Sequence, residues 1–140
     1  MPQSRFVVAF ALTASAALAT APTATAADYP KVEIIKQHLQ YGATYMTGEV
    51  AFYNRSAGVD GVAHIVGCRT IFATTINLEA TGKEEMIDER STSRKCDGDF
   101  PVHLNVPADI AGGADRVYLE LRDGDGKSFN PLVDMKYRLR

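Results

Sequence analysis

From residue 31 onward the chain alternates apolar and polar side chains in short runs, each closed by a turn. A period of two is the mark of a strand with one buried face. The pattern is cleanest over 100–106, where Val102, Leu104 and Val106 fall on one side and His103 and Asn105 on the other. It recurs over 116–122, with Val117, Leu119 and Leu121 against Tyr118, Glu120 and Arg122. Residues 131–139 repeat it with Val133, Met135, Tyr137 and Leu139, and Asp123-Gly124-Asp125-Gly126 before them reads as a hairpin turn. Residues 45–54 set Met46, Val50 and Phe52 against Thr47, Glu49 and Tyr53. Over 31–40, Val32 and Ile34 alternate and Ile35 then breaks the phase, which predicts a strand with a bulge. The longest β-prone stretch is 62–78, rich in Val, Ile, Thr and Phe. It exceeds a usual strand, and Gly67 is the expected point of division. A short strand is expected over 84–89, after a turn at 80–83.

Between these runs, 54–61 reads as a polar, Gly-rich loop and 90–99 as a charged, Ser-rich one. Residues 107–111 read as one helical turn ended by Gly112-Gly113. Seven or eight short strands at this spacing predict an all-β fold, an immunoglobulin-like β-sandwich of antiparallel strands, with a small closed β-barrel as the alternative. No Trp stands between the two cysteines, which argues against an antibody-type domain. No long helical pattern separates the strands, so a parallel α/β arrangement is not expected.

The first 26 residues break this pattern. Arg5 is the only charge before Asp28, residues 6–21 are apolar or small, and Ala24-Thr25-Ala26 follows Pro22. A positive start, a short apolar stretch and an Ala-x-Ala exit predict a secretory signal peptide over 1–26, cut near Ala26. Its strongly apolar part, residues 6–12, is far short of the roughly 20 residues of a membrane span. The remaining 27–140 are expected to form a single secreted domain, extracellular or periplasmic, with no span of its own.

Loss of Arg5 leaves 14 Lys and Arg against 17 Asp and Glu, a net charge of −3. That balance lacks the basic face of a nucleic-acid binder. Both cysteines, Cys68 and Cys96, lie in the exported part, and an oxidising compartment pairs them as a disulfide. Paired thiols leave no thiolate nucleophile.

Three sets of residues carry candidate chemistry. Asp97-Gly98-Asp99 and Asp123-Gly124-Asp125 are acidic turns; Asp97, Asp99, Asp123 and Asp125 would give calcium four carboxylates if the turns met, though tight turns demand Asp and Gly anyway. His38, His64 and His103 would hold zinc only if the fold brought three separate strands together. Arg90, Arg94 and Lys95 sit in the 90–99 segment, a candidate partner-binding loop held by Cys96. No Gly-x-Ser-x-Gly elbow is present and no pair of carboxylates is singled out by spacing. The reading that follows is a secreted, non-enzymatic binding module without a cofactor, meeting an extracellular protein or glycan through its loops. The alternatives are an extracellular protease inhibitor presenting 90–99, and a small secreted metal-dependent hydrolase.

Overall fold

A computed structural model describes residues 29–123 and 133–138. The signal reading over 1–26 and the turn residues after Asp123 lie outside the described residues. The regular elements among the described residues are all strands: β1 (Lys31–Ile34), β2 (Gln40–Tyr41), β3 (Thr44–Phe52), β4 (Ser56–Leu78), β5 (Glu84–Ser91), β6 (Lys95–Pro107), β7 (Arg116–Asp123) and β8 (Val133–Arg138).

The backbone of the fold is one long antiparallel hairpin. β5 and β6 follow one another down the same side of β4: Leu78 faces Glu84, Phe72 faces Ser91, Cys68 faces Cys96 and Ser56 faces Pro107. The other side of β4 is divided. β3 pairs with residues 57–64 and β7 with residues 69–76. β1 and β2 extend the sheet beyond β3, and β8 extends it beyond β7. The outcome is an open eight-stranded antiparallel sheet with two halves that share β4. The sheet runs from β1 to β8 without the closure that the barrel alternative requires.

The halves meet where the ladder is irregular. The register shifts between Ile65 and Cys68, with Gly67 at φ +73° and, opposite, Asp97 at φ +41°. Gly67 therefore divides the long strand as its sequence position predicts, by a bulge that bends and twists it. Both halves turn one face into a single core. Met46, Val50 and Phe52 of β3 join Val59 and Ile65 of β4, Val102 and Val106 of β6, and Val117, Leu119 and Leu121 of β7. Complete burial of one such side chain stabilises the fold by about 1.5–3 kcal/mol.

In the first half, two glycines face each other across β3 and β4, Gly48 opposite Gly61. A Cβ on Gly61 would lie 2.1 Å from the Thr47 carbonyl oxygen, and one on Gly48 2.0 Å from that of Asp60. Only residues without side chains permit this approach.

Several sequence expectations are corrected. Residues 56–61 are not a loop but the start of β4; Gly58 and Gly61 stand there for close packing, and composition alone cannot tell that from a turn. The segment 90–99 is mostly strand, with only 92–94 outside β5 and β6. Among the described strands β5 and β6 pair only with β4; β5 carries charged side chains that resist further pairing, while β6 turns Val102 and Val106 into the core. The 31–40 strand stops at Ile34, and a turn with His38 N–H donating to the Ile35 carbonyl leads to β2. Residues 108–113 form a hydrogen-bonded turn, Gly113 N–H to the Ile110 carbonyl, with no helix.

Candidate binding face

The outward face of the β3–β4–β6 half gathers most of the chemistry singled out in the sequence. Antiparallel register lays it out in rows. In the first, Tyr45, His64 and Asp99 lie side by side. The His64 Nδ1 is 2.7 Å from Asp99 Oδ1, and its ring stacks on Tyr45 at 5.2 Å. Lys36 Nζ sits 4.3 Å from the Tyr45 ring centre, a cation–π contact. The second row is Thr47, Val62 and Pro101, with Val62 49% exposed. In the third, Glu49, Asp60 and His103 align; His103 Nδ1 is 2.6 Å from Asp60 Oδ1, and Lys31 holds Glu49 at 2.6 Å. The fourth sets Gly58 opposite Asn105, with the Tyr53 ring folded down over Gly58.

The two His–Asp pairs have one origin. β4 carries Asp60 and His64, β6 carries Asp99 and His103, and antiparallel pairing sets each acid opposite the other strand's histidine. Nδ1–H of each ring donates to its carboxylate in the neutral tautomer, leaving Nε2 as an outward acceptor. The pairs stand four residues apart along each strand, about 13 Å at the usual rise. Each is an independent polar unit.

Beside the Asp60–His103 pair the surface dips. Tyr53, Ser56, Gly58, Asp60, His103, Leu104 and Asn105 line an open depression of about 320 Å³. Gly58 has no side chain, and the Tyr53 ring lies where one would stand: a Cβ there would come within 3.0 Å of it. Tyr29 meets Tyr53 edge-on at 4.9 Å and steadies it.

The other sequence candidates disperse. Asp97 accepts a hydrogen bond from Gly67 N–H at 2.7 Å, Asp99 serves His64, and Asp123 faces Arg69 at 3.4 Å. Asp125 lies outside the described residues. The first Asp-Gly-Asp triplet is thus a bulge within β6, not a turn. His38 sits apart from the other two histidines, its Nδ1 buried without a partner among the described residues and its ring 6.3 Å from that of Tyr137. Among the described residues no group of three His, Cys, Asp or Glu side chains converges as a metal site. Arg90 is tied to Asp88 and the Glu89 carbonyl on β5, Lys95 lies over the Phe100 ring on β6, and Arg94 belongs to the 92–94 connection between the two strands. They share no rigid loop.

Cys68 and Cys96 form the disulfide, as neighbours across β4 and β6 with Cα atoms 4.1 Å apart. It joins adjacent strands at the junction of the two halves.

The outward face of the other half differs. Arg122 lies between Glu120 at 2.6 Å and Glu89 at 3.1 Å, with its guanidinium 3.7 Å from the Phe72 ring centre. Thr74 donates to Glu89, and Glu84 takes both Arg116 and the Tyr118 hydroxyl. Burial pushes the Tyr137 hydroxyl, on β8, up to about 12.

Comparison with protein-family models, with curated proteins and with solved structures finds no match to this chain.

Proposed function

We propose that the protein is an exported, non-enzymatic binding module whose contact surface is the outward β3–β4–β6 face. The observation that carries this reading is the face itself. It presents exposed Val62, the Tyr45–His64 stack, two carboxylate-anchored imidazoles and an adjoining depression on a rigid sheet. A rigid surface loses little conformational entropy on binding. The partner lies outside the cytoplasm if residues 1–26 direct export, and is a protein or a glycan. Contact through a sheet face replaces contact through loops, because the segment expected to be the binding loop is mostly strand.

The shared core supports a sandwich whose two layers are the two halves of the sheet. Its immunoglobulin-like form fits less well, since β4 runs through both layers and immunoglobulin strands keep to one.

Binding of the labelled, oxidised protein to the host's envelope and medium fractions tests the face. Val62→Asp is expected to abolish binding, and Arg94→Glu to leave it intact. Loss with Arg94→Glu and retention with Val62→Asp would return the function to the 90–99 segment.

A further inference from the structure

We infer that the depression beside Asp60 and His103 is a saccharide site, taking one neutral pyranose unit of an extracellular glycan. This rests on the reading of the β3–β4–β6 face as a binding surface and names its ligand.

The argument starts from what lines the hollow. The Tyr53 ring lies down on Gly58, which has no side chain to lift it, and gives the hollow an aromatic wall. Around that wall stand a carboxylate, an imidazole, a hydroxyl and a carboxamide: Asp60, His103, Ser56 and Asn105. A pyranose presents the matching surface, an apolar C–H face for the ring and a girdle of hydroxyls that both donate and accept. Asp60 spends Oδ1 on His103, leaving Oδ2 to accept from a sugar hydroxyl. In its neutral Nδ1–H tautomer His103 offers Nε2 as a second acceptor, and Asn105 supplies donor and acceptor together.

Charge selects within the class. Among the described residues the hollow has one carboxylate, hydrogen-bonded to the imidazole at 2.6 Å, and no Lys or Arg lines it. An anionic ligand finds no fixed cation there, and a cationic one finds a single carboxylate with one oxygen already shared with His103. A neutral polyhydroxyl ligand needs neither. Size agrees: about 320 Å³ is at the lower end of small-molecule sites, and the open rim lets a chain continue beyond the bound unit. At the other His–Asp pair the Tyr45 ring stacks on His64.

The test titrates the isotope-labelled, oxidised protein with chitohexaose, cellohexaose, mannohexaose and, as an anionic control, a hexamer of galacturonic acid. At least one neutral hexamer is expected to shift the amides of Gly58, Asp60, His103 and Asn105. Tyr53→Ala and Asp60→Asn are each expected to weaken that binding at least about tenfold, on the order of 1.4 kcal/mol, with the melting temperature of Asp60→Asn unchanged. No shift with any neutral hexamer, shifts confined to other strands, or preference for the galacturonate hexamer overturns the saccharide assignment. Envelope binding that remains sensitive to Val62→Asp in that case leaves the binding face standing and moves the ligand to a protein.

Discussion

The two halves of the sheet share a strand and a core but have opposite outward faces. On the β5–β4–β7–β8 half the charges are spent on one another. Arg122 satisfies Glu120 and Glu89 while covering Phe72, and Glu84 satisfies Arg116 and Tyr118. On the β3–β4–β6 half the polar groups pair only in isolated couples, and Val62 stands exposed between them. The first surface is a finished piece of structure. The second keeps acceptors, aromatic rings and an apolar centre available. The difference separates residues that maintain the fold from residues that are free to meet a partner.

The largest expected effect concerns how the binding half keeps its sheet tight. Gly61→Ala drives a methyl into the Thr47 carbonyl and should destabilise the protein by more than about 3 kcal/mol in urea unfolding. Gly82→Ala, in the turn of the other half, meets no atom within 4 Å and should cost only about 1 kcal/mol, for its φ of +85°. Equal losses would show that the glycine pair is not a close approach.

Next is the disulfide at the junction. Intact mass should rise by two hydrogens on reduction, and stability should fall by about 3–4 kcal/mol in the chain-entropy description of the loop it closes. Two thiols that alkylate without reductant would contradict the bridge.

Tyr137 gives a pH signature to the core the halves share. Its folded-state ionisation is raised to about 12 from an ordinary value of 10, so the folded state favours the neutral phenol. That stability is fully present below pH 10 and is lost as pH rises toward 12, by roughly 2–3 kcal/mol. Tyr137→Phe should remove this alkaline loss relative to the parent. At neutral pH it should leave stability equal or higher by about 1 kcal/mol, since the buried hydroxyl has no hydrogen-bond partner among the described residues.

The smallest effects sharpen the contrast directly. Arg122→Ala strips two carboxylates and an aromatic ring of their partner and should cost about 1–2 kcal/mol. Asp99→Asn, in an exposed pair on the binding half, should change stability by less than about 0.5 kcal/mol. A larger loss for Asp99→Asn than for Arg122→Ala would invert the assignment of the two faces.

Much of this was legible along the chain. The alternation at Val102, Leu104 and Val106 and at Val117, Leu119 and Leu121 places the strands and names their inner sides, because burial of one sheet face writes a period of two. Gly67 announces the break, and the export reading pairs the cysteines. Register was not legible, because it depends on how long β4 runs and where its partners begin. Residues 54–61 look like a loop by composition although two of their glycines serve tight packing. The binding face did leave a trace: Asp60 and His64 on one strand, Asp99 and His103 on another, both with spacing four. Antiparallel pairing converts that repeat into two His–Asp couples, but only once the register is known.

The central claim is that ligand contact belongs to the β3–β4–β6 face and not to the other. The most direct test places the same charge on each half, Val62→Asp on one and Met86→Asp on the other, both at exposed apolar positions. Binding of the oxidised protein to host envelope and medium material is then compared, with thermal melting alongside. The account predicts unchanged melting for both, loss of binding for Val62→Asp and full binding for Met86→Asp. Full binding by Val62→Asp together with loss for Met86→Asp would contradict it.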